Sequence, residues 1–165
     1  MYTAEFCVIN RDHPLSQLVD GYMIERIGFL YGCEDVNYWT RDKMWFNNDR
    51  ILEVLMINDE MVGNLIYKTE LSNEFQCHGI VNSLEVKSLY LFNADKNSGK
   101  GFGSLLFNRM MEISDKYQAK SIHVTVSEEV PDSLEFFRKK GFVSKAELPI
   151  RFKPNCKQYL LQFCK

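Results

Sequence analysis

The stretch SLYLFNADKNSGKGFGSLLFNRMMEI, from Ser88 to Ile113, decides how the rest of the chain is read. An apolar run opens it and a polar loop with Gly99, Gly101 and Gly103 follows. Phe102, Leu105, Leu106, Met110 and Ile113 then recur at helical steps, the mark of a helix packed on a sheet. A glycine-rich turn feeding a helix N-terminus presents unpaired N–H groups and the positive end of the helix dipole, which suits a phosphate or pyrophosphate. Glycine at these positions lets the backbone approach such a group closely and take φ > 0. Two nucleotide patterns fail on spacing. A Walker A loop wants glycine where Ala94 stands and Ser or Thr after Lys100, where Gly101 stands. A dinucleotide fingerprint begun at Gly99 or Gly101 meets Ser104 or Leu106 in place of its third glycine.

The pattern that remains is Arg/Gln-x-x-Gly-x-Gly/Ala at the opening of a helix, met by Gly101 and Gly103, with Ser98 in the Arg/Gln place. Two further stretches agree in order: LEVKSLYL, Leu84 to Leu91, and SLEFFRKKGF, Ser133 to Phe142. From about Arg50 onward the chain resembles the GCN5-related N-acetyltransferases, the GNAT family. The resemblance implies an α/β (α+β) fold, a central mixed, mostly antiparallel twisted sheet flanked by helices, in a single domain over residues 1–165. It implies acetyl-CoA as co-substrate, no metal, and transfer of the acetyl group to a primary amine by direct attack on the thioester. A catalytically weak acyl-CoA-binding sensor or partner module is the other reading.

Carried onto this chain, the resemblance assigns the pyrophosphate grip to Ser98, Gly99, Lys100, Gly101, Phe102, Gly103 and Ser104, with Lys96 or Lys100 adding a point charge. The pantetheine arm falls to main-chain groups of Leu89, Tyr90 and Leu91, and Phe136 and Phe137 supply apolar surface. Ser98 lacks the usual long side chain, and the loop is about two residues longer than the common form. Glu85 stands where some members carry a catalytic base. A base is needed because an alkylamine with a pKa near ~10.4 arrives protonated. On strict alternation Glu85 shares a face with Lys87, Leu89 and Leu91, so an exposed Glu85–Lys87 pair is the competing reading. The usual acid position holds Phe137, and Val130 replaces the family's asparagine; Tyr90, Tyr159 or Ser127 are the available stand-ins, with His123 a reserve base.

The 165 residues are 45% hydrophobic and 25% charged, enough for one sizeable core. A net charge of −2 speaks against nucleic acid or an anionic membrane as main partner, and against a toxin-like enzyme acting on charged tRNA. Glu5, Arg11 and Asp12 interrupt any signal-peptide core and no run reaches membrane-spanning length, so a cytosolic location is expected, with a homodimer left open. Five cysteines without C-x-x-C spacing read as reduced, mostly buried thiols, and Cys77-His78 as neighbours without a third ligand.

Read in order, Tyr2–Asn10 is a strand and Pro14 opens a helix with Leu15, Leu18, Val19, Tyr22, Met23, Ile27 and Leu30 as its stripe and Gly32 as its end. A shorter helix spans Tyr38–Asn47, its aromatics Tyr38, Trp39, Trp45 and Phe46 read as packing. Ile51–Ile57 and Met61–Thr69 form a hairpin, Glu70–His78 a loop, and Leu84–Phe92 a strand. Strand Ser121–Glu129, a helix from Pro131 to the Gly141 exit, and strands Phe142–Ala146 and Lys157–Phe163 complete the chain. Glu25, Glu34, Asp35 and Asp42 are compatible with a cationic small-molecule or peptide amine as acceptor.

Overall fold

A computed structural model describes residues 1–31, 38–150 and 153–165. Seven strands make one sheet in the order β1-β2-β3-β4-β5-β7-β6. They are β1 (Ala4–Val8), β2 (Arg50–Ile57), β3 (Glu60–Lys68), β4 (Ser83–Leu91), β5 (Ser121–Ser127), β6 (Val143–Ile150) and β7 (Lys153–Cys164). Among the described residues only β4 and β5 pair in parallel, joined by the long crossover that parallel neighbours need, here helical. The mixed, mostly antiparallel sheet expected from the sequence is what the chain forms.

Helices α1 (Ser16–Tyr31) and α2 (Tyr38–Met44) cover one face of the sheet, and α4 (Phe102–Lys116) and α5 (Pro131–Lys139) the other. On the α4 face, Phe102, Leu106, Met110 and Ile113 meet Leu84, Val86, Ile122, Val124 and Val126. On the α1 face, Val19, Met23 and Ile27 meet Trp45, Phe46, Leu52, Val54, Ile66 and Phe92, so Trp45 and Phe46 pack as expected. Leu18 does not belong to the buried stripe: it is 53% exposed, because the stripe advances through Leu15, Val19, Met23 and Ile27 and turns Leu18 outward. Gly32, Cys33, Glu34 and Asp35, and the side chains of Tyr38 and Trp39, lie outside the described residues.

The β2–β3 turn holds Asn58 at φ 48° and Asp59 at φ 68°, the left-handed pair a two-residue hairpin requires. β6 and β7 run longer than their sequence pattern suggests, through Pro149 and Pro154. Both prolines are tolerated because β6 is the sheet edge and β7 begins pairing with β5 only at Gln158. The thiols are less buried than expected: Cys7 and Cys156 are half-buried, and Cys77 and Cys164 are exposed, on a 3₁₀ turn and at the end of β7. Across the α4 face, Arg109 grips the buried Glu53 of β2 with two hydrogen bonds, Nε to Oε2 at 2.9 Å and Nη2 to Oε1 at 2.8 Å.

Candidate functional site

The site begins with one extra residue. β3 and β4 pair Ile66 with Ser88 but Tyr67 with Val86, leaving Lys87 as a bulge. The bulge flips the alternation, so Leu84 and Val86 before it and Leu89 and Leu91 after it all pack on the α4 side, while Tyr90 packs on the α1 side. Glu85 therefore does not share a face with Leu89 and Leu91, as uninterrupted alternation would require. At the same point the sheet opens. The β4–β5 ladder ends at Val86–Val124, although β4 continues to Leu91 and β5 to Ser127.

The gap is a groove. Leu89, Tyr90 and Leu91 form one wall and Val130 with Ser133, Phe136 and Phe137 of α5 the other, with Ser98 and Gly103 at one end, around a volume of about 410 Å³. A smaller cavity of about 100 Å³ continues from it toward α1, lined by Arg26, Lys87, Ser88, Thr125, Ser127 and Gln158 among others. Phe137 borders both spaces and is buried, so the position expected to carry an acid carries a hydrocarbon wall.

The loop after β4 is more ordered than a glycine run suggests. Asn93 takes φ 46° and starts the single turn α3 (Ala94–Asn97), which takes up part of the loop's length. Buried Asn97 donates from Nδ2 to the Phe92 carbonyl at 2.6 Å, Asn93 Nδ2 donates to the Tyr22 hydroxyl at 3.1 Å, and Tyr22 stacks on Phe92 at 4.1 Å. These contacts fasten the loop to α1. Gly99 and Gly101 have φ of 74° and 82°, which side-chain-bearing residues avoid, and Gly101 is the N-cap of α4. Gly103 differs: its φ is not positive, and a Cβ there would lie 3.2 Å from Phe136 Cε2. It is a glycine of close approach.

The first four N–H groups of a helix have no intrahelical partner. In α4 they belong to Gly101, Phe102, Gly103 and Ser104, since Leu105 N–H already donates to Gly101 O at 3.2 Å. Ser98 N–H is not available, because it donates to Ala94 O at 2.8 Å. Phe102 turns its ring into the core. Both lysines are exposed; Lys96 is held by Glu60 at 2.6 Å, and Lys100 directly precedes the N-cap of α4. Ser104 Oγ accepts from Lys140 Nζ at 3.0 Å, a contact the sequence did not announce.

Arg26 was also unannounced. Its guanidinium lies 4.6 Å over the Tyr90 ring and borders both cavities. Burial raises the Tyr90 phenol pKa, the Arg26 charge opposes that rise, and Glu25 and Tyr22 add to it. A charged residue inserted between Met23 and Ile27 on a buried stripe was the available signal. Glu85 lies on β4 one residue before Val86, in register with His123, with a side chain only 12% exposed, and accepts from Lys87 Nζ at 2.9 Å. It borders an open pocket near Asp49 and Lys68 and does not line the small cavity, which its partner Lys87 borders. His123 is buried, with Nδ1 2.8 Å from Ser83 Oγ; desolvation lowers its pKa, with Glu85 opposing and Lys87 reinforcing the shift. Tyr159 faces Arg138 and Lys157. Among the described residues no group of His, Cys, Asp and Glu is placed to hold a metal, and no helix is long and apolar enough to cross a membrane.

The sequence matches no known family profile and no curated protein. Its fold has many solved counterparts. NAA60 of Arabidopsis thaliana, in complex with a bisubstrate analogue, superposes with a TM-score of 0.74 at 14% identity, covering 99% of each chain. The spermidine N-acetyltransferase of Vibrio cholerae, with CoA and spermine, gives 0.71 at 16% identity over 98% of this chain and 95% of that one. A GNAT-family acetyltransferase of Elizabethkingia anophelis with acetyl-CoA bound gives 0.68 at 14% identity over 98% of each. Each superposition spans nearly the whole of both chains: this chain has the fold of the GNAT acetyltransferases.

Proposed function

We propose that this chain is an acetyl-CoA-dependent N-acetyltransferase acting on a primary amine. The observation that supports it best is the opening of the sheet beyond Val86 and Val124, which gives the Leu89–Leu91 main chain a groove instead of a neighbouring strand. Buried main-chain polar groups need partners, and an extended amide-bearing arm supplies them. The groove's narrow contact at Gly103 fits a cofactor that must run close to a helix N-terminus.

Bound acetyl-CoA brings an activated thioester. The N–H groups of Gly101–Ser104, with Lys100, hold the pyrophosphate, and Phe136 and Phe137 exclude water from the apolar part of the groove. Glu85 accepts the ammonium proton through water beside Lys87, its carboxylate kept in place by that lysine. A thiol of pKa near ~8.5 is a serviceable leaving group without a phenol at the Phe137 position, so positioning and preorganised N–H groups carry the rate. The similar proteins solved with CoA and spermine or with a bisubstrate analogue support an amine acceptor. A cytosolic single-domain enzyme is the setting this reading assumes.

Calorimetry with acetyl-CoA, paired with mass spectrometry of an amine panel, tests it: saturable binding and an N-acetyl product are expected, and no binding refutes it. The apolar Phe137 and Val130 favour one alternative, an acyl-CoA-binding module with little turnover, which predicts binding without product from any amine.

A further inference from the structure

Lys140 points its charge at the wrong end of a helix. It is the C-cap of α5, its main-chain N–H donating to the Phe136 and Phe137 carbonyls, yet its half-buried side chain crosses to α4. There Nζ donates to Ser104 Oγ at 3.0 Å, and it lies 5.2 Å from the centre of the Phe107 ring and 5.7 Å from that of Phe136. Ser104 belongs to the first turn of α4, whose leading N–H groups have no intrahelical partner, and that turn carries no acidic residue. The positive end of a helix dipole disfavours a cation; a C-terminus is where one is stabilised. The last turn of α5 already has Arg138 and Lys139, so capping does not explain where Lys140 goes. Lys139 pairs with Glu135 at 3.0 Å, whereas Lys140 has no carboxylate partner among the described residues. An ammonium and a set of orphan N–H groups thus converge on one another, an arrangement that an anion between them would stabilise.

We propose, resting on the acetyl-CoA reading above, that Lys140 is a cofactor-binding residue: it reaches across from α5 to meet a phosphate of CoA and supplies the long cationic side chain that Ser98 does not. Gly103 and Phe136 line the apolar groove, while Ser104 and Lys140 do not, so the lysine serves the part of the cofactor that leaves the groove and not the arm inside it. A hydroxyl that accepts from Lys140 keeps its own hydrogen to donate, so Ser104 offers O–H and N–H to the same oxyanion. An ammonium on a flexible stem suits a phosphate as a point charge, whether that phosphate is in the pyrophosphate or on the ribose 3′ position.

The test is calorimetry with CoA and with 3′-dephospho-CoA on the parent and on K140M, which keeps an unbranched apolar stem over Phe107 and Phe136 and removes the charge. K140M is expected to raise the Kd for CoA about tenfold, the low end for a charge-assisted hydrogen bond because the lysine is only half-buried. Raising the salt from ~0.05 M to ~0.5 M is expected to shrink that ratio to about threefold or less, since salt screens a charge attraction and not a loss of packing. An equal loss with both ligands assigns the pyrophosphate as the partner, and a loss confined to CoA assigns the 3′-phosphate. K140M binding CoA within about twofold of the parent, or a loss that salt does not change, overturns the proposal and leaves the acetyl-CoA reading standing. A parent that binds no CoA overturns both. If the pattern holds but no N-acetyl product forms from any amine, the phosphate role of Lys140 stands while the acetyltransfer reading fails.

Discussion

Gly101 and Gly103 lie two residues apart in the same turn, and the structure gives them different reasons to be glycine. Gly101 has φ 82° and open space for 4 Å around the place a Cβ would take, so a side chain there is opposed by backbone strain alone. Alanine should cost about 1–2 kcal/mol, which for a chain of this size lowers Tm by roughly 2–8 °C. Gly103 is helical, and alanine there gains up to about 1 kcal/mol of propensity against a 3.2 Å contact with Phe136 Cε2, so G103A should leave stability within about 1 kcal/mol of the parent. Valine adds methyl groups toward the same ring and narrows the groove. G103V should therefore raise the Kd for acetyl-CoA by at least about tenfold, equivalent to ~1.4 kcal/mol, with an overpacking cost of about 1–3 kcal/mol. F136A in the G103A background should relieve the contact without restoring the apolar wall. Denaturant unfolding and acetyl-CoA calorimetry on the same samples separate the two effects. If G103V binds acetyl-CoA like the parent, or G101A is as stable as the parent, the assignment of close approach to one glycine and left-handed backbone to the other is wrong.

Removing the Glu85 carboxylate in E85Q should lower turnover by about 10²-fold while acetyl-CoA affinity holds, as steady-state kinetics and calorimetry would show; unchanged turnover discards Glu85 as base. R109A leaves buried Glu53 without its two hydrogen bonds and should cost about 3–5 kcal/mol, read as a lower urea midpoint at constant slope. Burial depresses the His123 pKa below its unfolded value near ~6.5, so the neutral ring's contribution is complete above that pH and is lost as pH falls through ~6.5 toward the folded pKa. The parent should lose stability on going from about pH 7 to 5 more steeply than H123Q does, as followed by urea midpoints.

Much of this architecture was legible in the sequence because its signals were periodic. The stripe from Phe102 through Ile113, the alternation of Ile122, Val124 and Val126, and the Asn58-Asp59 turn each state their element without reference to the rest of the chain. The bulge left a signal that the strict-alternation reading of Glu85 passed over: the apolar positions Leu84, Val86, Leu89 and Leu91 step by two, three and two, and the odd step falls on Lys87 and Ser88. What the sequence withheld were contacts between distant segments. Arg26 comes to Tyr90 from sixty-four positions away and Lys140 to Ser104 from thirty-six, and no local pattern announces either meeting. Gly103 is intermediate, since its motif was visible but its partner Phe136 was not.

Lys87 ties these levels together. Were β4 unbulged, Ser88 and Tyr90 would turn toward α4, and a hydroxyl and a phenol would enter a core now filled by Leu89 and Leu91. One inserted residue keeps leucines on the α4 side both before and after the interruption. It coincides with the end of the β4–β5 ladder, where the sheet opens. The same residue places an ammonium at the edge of the opening, where it holds Glu85 from one side and borders the cavity on the other. The register of the leucines along the groove and the position of the carboxylate are thus local consequences of a single irregularity. The glycine loop does not create the groove; it closes one end of it with a helix N-terminus, and Gly103 keeps that end wide enough to use.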